Sequence, residues 1–167
     1  MAKIIFLDID GVLNASDDFG GRSKPNPKCS GFCGIATTKV KKLARIVNET
    51  GAEIVLVSSW KRHYEIYCKD HMDIYGKYLH NKLRKQGLQI IDTTLRYEKL
   101  HSVPNEYRGT AIKQWLKDHP EVTNYIVLDD EIFDDYAYTI YSHLVQTTWT
   151  TGLTDELVAE AIEKLKE

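Results

Sequence analysis

The chain has 167 residues, 43% hydrophobic and 28% charged, with a formal net charge of −2. Those values describe a globular chain long enough to bury a substantial core, and they exclude low-complexity disorder. The near-neutral charge excludes bulk electrostatic attraction to nucleic acid or a membrane surface, though not recognition of a nucleic-acid end, and no apolar run approaches the roughly 20 residues that span a bilayer.

The first predicted strand is Ile4-Ile5-Phe6-Leu7, apolar on both faces, as in the middle of a parallel sheet. The chain enters it almost at once, so no signal peptide is expected. The strand ends in Asp8-Ile9-Asp10-Gly11. Side chains two residues apart on an extended backbone leave on one side, so Asp8 and Asp10 can converge, and Gly11 permits a sharp turn. Two carboxylates forced together call for a hard cation such as Mg²⁺. A carboxylate beside that cation is a nucleophile towards phosphorus. A second one, two residues on, can protonate a leaving group and later deprotonate water.

Residues 15–34 have the composition of a loop, with Gly20, Gly21, Pro25, Pro27 and Gly31. Such a long loop at a strand's C-terminal end reads as a flap over the site, with Arg22, Lys24 and Lys28 giving it positive charge. Cys29 and Cys33 lie within it. With Cys68 they make an odd, small set, which argues for a reducing cytoplasm rather than a disulfide framework. No second close pair of ligands completes a zinc site with them.

Thr37 or Thr38 is expected to cap a helix to about Glu49, with Val40, Leu43, Ala44 and Val47 inward and Gly51 as its stop. Glu53 to Ser59 is the second strand, ending in hydroxyls, and Trp60, Lys61 and Arg62 open a helix. That helix runs to about Gln86, broken at Gly76. Leu88 to Thr93 is a third strand. Arg108-Gly109-Thr110 leads into a helix to about Asp118. Tyr125 to Asp130 repeats the opening pattern, an apolar run ending in carboxylates, and Asp134 and Asp135 read as loop acids. Leu144 and Val145 offer a fifth strand. Thr154 caps the last helix, whose first-turn Asp155 and Glu156 suit the helix dipole. Helices alternating with strands predict one α/β domain over 1–167, with a mainly parallel five-stranded sheet in a three-layer α/β/α, Rossmann-like arrangement. Parallel strands put their C-terminal ends on one edge, so Asp8, Asp10, Ser58, Asp129 and Asp130 are expected in one crevice.

This pattern resembles the haloacid dehalogenase (HAD) superfamily, mostly Mg²⁺-dependent phosphatases that work through an aspartyl-phosphate. Phe6-Leu7-Asp8-Ile9-Asp10-Gly11-Val12 resembles its first motif and Ile54-Val55-Leu56-Val57-Ser58 its second. Arg108, at the start of its helix, fits the third, where Lys is commoner. Ile126-Val127-Leu128-Asp129-Asp130 resembles the fourth. Asp-Gly-Val-Leu-Asn, Ser-Ser-Trp-Lys-Arg, Leu-Asp-Asp and Gly152-Leu153-Thr154 look like a narrower group, the phosphatase-like domain of Swiss Army knife RNA-repair proteins. The resemblance implies Asp8 as nucleophile and Asp10 as acid and base. Ser58 and Arg108 contact the phosphoryl group. It also implies that Asp8, the Asp10 carbonyl, and Asp129 or Asp130 hold Mg²⁺. Ser59 is an alternative to Ser58, and Lys99 or Lys113 to Arg108. Asn14, Ser59, Trp60 and Arg62 are candidates for substrate binding, with Trp60 stacking on a base. Large insertions are absent, so the site is expected to be capless and open. That suits a phosphorylated polynucleotide end, with no membrane partner. A mononucleotide phosphatase, a phosphotransferase and a non-catalytic binding module are the other readings.

Overall fold

The register of the central strand decides where the chemistry sits. In the computed structural model, which describes residues 2–19, 25–26, 29–64, 71–95, 107–136 and 138–167, with backbone only at 19, 25–26, 29–33 and 138, β1 (Ala2–Leu7) lies in the middle of a five-stranded sheet. Its neighbours are β4 (Glu53–Leu56) and β6 (Val122–Asp129), both parallel to it. β5 (Ile90–Thr93) and β7 (Leu144–Gln146) form the edges, also parallel. The order is β5-β4-β1-β6-β7.

Alternation along β1 feeds two cores. Ile5 and Leu7 pack with Leu43 of α1 (Thr37–Thr50), Leu79 of α2 (Ile74–Arg84) and Val158 of α5 (Asp155–Lys166). Ile4 and Phe6 pack on the other face with Ile112 and Trp115 of α3 (Arg108–Asp118) and Ile140 of α4 (Tyr138–Tyr141). These are the three expected layers. Phe6 meets Trp115 edge-on, with ring centroids 5.4 Å apart, a preferred aromatic geometry.

Leu7 is paired with Leu56 on one side and Leu128 on the other. The next residue on β1 is therefore level with the next residue on β6. Asp8 and Asp129 stand side by side, and both point to the Phe6 face, where α3 begins.

Several expected boundaries move. Ala36, not a threonine, is the N-cap of α1, without a side-chain bond, while Gly51 ends the helix at φ 70° as expected. Ile46 is the buried residue in its last turns, and Val47 only packs partly. β4 stops at Leu56, and a 3₁₀ turn, Ser59–Arg62, replaces the expected start of a long helix. Gly76 does not break α2; it lies inside it. A Cβ there would stand 1.8 Å from the His63 carbonyl oxygen, so glycine lets the helix seat against that turn. Residues 15–34 contain a 3₁₀ turn, Ser16–Phe19, and a two-stranded antiparallel ribbon, β2 (Pro25–Asn26) with β3 (Cys29–Cys33), not only loop. Arg22, Lys24, Lys28, Cys68 and Lys99 lie outside the described residues. Among the described residues no helix is long and apolar enough to cross a membrane.

Candidate active site

The C-terminal ends of β1 and β6 bring Asp8 and Asp129 together as buried acids, 4% and 0% exposed. One carboxylate oxygen each from Asp8, Asp129 and Asp130 lies within 4.8 Å of the others. Arg108, the first residue of α3, enters this cluster. Its Nη1 donates to Asp8 Oδ1 at 3.1 Å and to Asp129 Oδ2 at 2.5 Å. One nitrogen therefore serves both acids. Lys113, the alternative on the same helix, is exposed.

Burial, opposed by Arg108 and assisted by Asp129, pushes the Asp8 carboxyl up to about 7; the Ser58 hydroxyl bonded to it pulls the other way. Burial and the Asp129 and Glu131 charges push Asp130 up to about 6. For Arg108, burial works against the charge, but Asp8 and Asp129 more than offset it, and its pKa is raised.

Asp10 is held differently. Asn14 Nδ2 donates to Asp10 Oδ1 at 2.7 Å, and Trp60 Nε1 donates to Asp10 Oδ2 at 3.1 Å. Asn14 Oδ1 accepts from the Gly11 N–H at 2.9 Å. Both carboxylate oxygens are thereby fixed by neighbours that follow β1 and β4. Gly11 has φ 72°, and a Cβ on it would come within 2.3 Å of the Asp130 carboxyl, so its lack of a side chain makes room for the acid cluster.

Ser58 is buried, caps the 3₁₀ turn by accepting from Trp60 N–H at 3.4 Å, and bonds Asp8, so it is the hydroxyl beside that carboxylate. Ser59 is exposed and lines the cavity. The two hydroxyls thus take different positions. Trp60 is 2% exposed; it orients Asp10 and offers no free face to a base, contrary to the stacking expectation. Asn14 is likewise buried against Asp10. Arg62 is exposed and is not among the cavity-lining residues.

Four contributors carried no recognisable motif. Tyr136 donates its hydroxyl to Asp129 Oδ2 at 2.8 Å, and burial together with the Asp129 charge pushes its pKa far up, so it stays a donor. Phe133 lies under Arg108, with the guanidinium carbon 4.3 Å from the ring centroid. Asp135 is not an idle loop acid. It accepts from Gly109 N–H at 3.0 Å and Thr110 N–H at 2.5 Å, capping the helix that presents Arg108. Trp149 lines the cavity from the loop after β7. All four belong to loops without periodicity, so neither spacing nor a strand ending marks them.

The cavity has a volume of about 440 Å³ and is lined by Asp8, Asp10, Asp129, Asp130, Glu131 and Arg108, with Ser59, Phe133 and Trp149 at their side. Five carboxyl residues thus face one guanidinium. Such a site repels a phosphate unless a divalent cation offsets the charge, and hard oxygen donors in this number suit Mg²⁺.

Residues 4–158 match the family model described as the HAD domain in Swiss Army Knife RNA repair proteins. No curated protein and no solved structure gives a match. HAD domains are in general phosphohydrolases and typically use Mg²⁺, which agrees with the acid cluster around Asp8. A match over nearly the whole chain, on a parallel sheet that gathers these acids at one edge, means that the chain belongs to the HAD domain family of the Swiss Army Knife RNA repair proteins.

Proposed function

We propose that the protein is a Mg²⁺-dependent phosphohydrolase that forms an aspartyl-phosphate on Asp8 and acts on phosphomonoesters at nucleic-acid ends. The observation that carries this is the convergence of Asp8, Asp129 and Asp130 with Arg108 bridging two of them. Asp8, Asp129 and Asp130, with the Asp10 backbone carbonyl, would hold the cation. Held there, Mg²⁺ would supply positive charge to offset the carboxylates and the phosphoryl oxygens.

Asp8 attacks phosphorus, and the ester oxygen leaves with a proton from Asp10. Water then attacks the acyl-phosphate, giving its proton to Asp10 and releasing inorganic phosphate and free Asp8. Asn14 and Trp60 keep Asp10 in a single orientation for both proton transfers. Arg108 and Ser58 stabilise charge at Asp8 and on the transferring group. The family's association with RNA repair supports a polynucleotide end as substrate. So does the shortness of segment 15–34 after the first strand, a place where the resemblance implies that HAD proteins often carry a cap.

Phosphate release from an aryl phosphate, then from 5′- and 3′-phosphorylated oligonucleotides, tests the proposal with Mg²⁺, with EDTA and with Asp8→Asn. The expected result is Mg²⁺-dependent turnover that falls at least about a thousandfold in Asp8→Asn. Turnover that survives EDTA or the substitution would refute the mechanism. Silence on every ester, with Mg²⁺ still bound, would favour a non-catalytic binding module.

A further inference from the structure

The chain has three tryptophans, and the structure separates them. Trp60 and Trp115 are each 2% exposed, whereas Trp149 is 47% exposed and lines the cavity that holds Asp8 and Asp10. Leaving so large an apolar ring in water forgoes burial energy.

The ring does not stand on a slack loop. Thr147 Oγ1 donates to the Gly11 carbonyl at 2.7 Å, and Leu153 N–H donates to the Val12 carbonyl at 3.0 Å. Ser16 N–H donates to the carbonyl of Trp149 itself at 3.0 Å, and Asp17 N–H to that of Thr150 at 3.1 Å. The segment carrying Trp149 is therefore stitched to the segment that follows Asp10, so the backbone from which the ring projects holds a fixed place relative to the acids.

Charge leaves this ring with work to do. Among the described residues that line the cavity, Arg108 is the one cation, and it is committed to Asp8 and Asp129. A groove that follows a polyanionic backbone needs Lys and Arg along it. Here five carboxyl residues stand in that position. Among the described lining residues an uncharged contact is what is left to hold a nucleotide end beside the phosphate, and stacking on an aromatic face is the uncharged contact that every base can make. Phe133, the other ring in the lining, is already covered by the Arg108 guanidinium.

We propose that Trp149 is the platform on which the nucleobase next to the scissile phosphate stacks. The substrate is then an unpaired terminal nucleotide, because a base held in a duplex has no free face to offer. The inference rests on the phosphohydrolase reading for the phosphate and adds the recognition of the base.

Two measurements test it. The first compares wild type, Trp149→Ala and Trp149→Phe on phosphorylated oligoadenylates and on glycerol 2-phosphate, which has no ring. Trp149→Ala is expected to lose at least about tenfold more kcat/KM on the oligonucleotides than on the ring-free ester, through KM, and Trp149→Phe to recover most of it. Equal losses on both substrates overturn the platform. The second titrates Asp8→Asn protein with phosphorylated oligoadenylate and Mg²⁺ and follows the emission of the exposed tryptophan. Quenching is expected, and it disappears when Trp149→Phe is added. No quenching overturns the platform whatever turnover shows. Quenching without turnover of any ester leaves the platform standing and removes the phosphohydrolase reading instead.

Discussion

Arg108 stands where the resemblance to the HAD motifs implies a lysine more often, and its contacts say how much that difference would matter. A single nitrogen, Nη1, makes both ion pairs, so the planar fork of the guanidinium is not used as a fork. Nε is buried and finds no acceptor among the described residues. A buried unpaired donor costs about 1–3 kcal/mol. A lysine would reach for the same two carboxylates with one ammonium and would remove that orphan, while giving up the stack on Phe133. Arg108→Lys is therefore expected to keep kcat within about tenfold of wild type and to melt no lower. Arg108→Ala leaves Asp8 and Asp129 buried without their cation and is expected to lose at least about a hundredfold in kcat. Comparing kcat and Tm for the pair checks this, and an inactive Arg108→Lys would show that the fork itself is needed. That this residue starts a helix was legible in the sequence, and the structure adds its contacts to Asp8 and Asp129. Its support was not legible. Tyr136, Phe133 and Asp135 reach the site across more than twenty residues of chain or from an irregular loop, and no local pattern announces a contact of that range.

At the scale of elements, the parallel sheet was readable because each strand is an apolar run that stops at a polar group. The helices on either side obey their own period, as Leu79 and Leu83 of α2 do. What sequence patterns misread was a glycine. Gly76 inside a helical pattern looks like a break, since glycine is about 1 kcal/mol poorer than alanine in a helix interior. Its reason is instead a close approach, with the His63 carbonyl occupying the space a methyl would need. Propensity and packing then predict opposite signs for one substitution. Gly76→Ala gains helix propensity but forces α2 away from the 3₁₀ turn that carries Trp60, and overpacking of this kind costs about 1–3 kcal/mol. The packing effect should win. Urea unfolding is expected to show a net loss of about 1–2 kcal/mol, and a more stable Gly76→Ala would mean that the helix and turn separate freely. The misplacement of Trp60 has the same origin. The expected helix start is a tight 3₁₀ turn capped by Ser58, and that geometry swings the indole inward to Asp10.

The molecule as a whole stores an electrostatic conflict at one sheet edge, and this conflict links stability to pH and to metal. Asp8 is pushed up to about 7 and Asp130 to about 6, both above the 3.8 of an unperturbed aspartate, with burial the largest cause in each. A carboxyl whose folded pKa is raised holds its proton more tightly in the native state. Its favourable contribution is complete below the unfolded pKa and is lost as pH rises through the folded one. The metal-free protein should therefore lose stability between about pH 4 and about pH 7 from these two groups. A divalent cation held by the cluster would take over the role of the protons, because it would bind the deprotonated acids. Its stabilising effect should grow over the same interval. At a free concentration of about a hundred times Kd, a ligand of the native state adds about 2.7 kcal/mol, on the order of 5–10 °C in Tm for a chain of this size. Melting curves with Mg²⁺ and with EDTA, at about pH 5 and about pH 8, check the sign. The Mg²⁺ increment is expected to be small at the lower pH and to reach that range at the higher one. Asp129→Asn, which would remove one of the three acids able to hold the cation along with its charge, should shrink the increment at the higher pH. An increment that ignores both pH and Asp129 would place the cation outside the cluster of Asp8, Asp129 and Asp130.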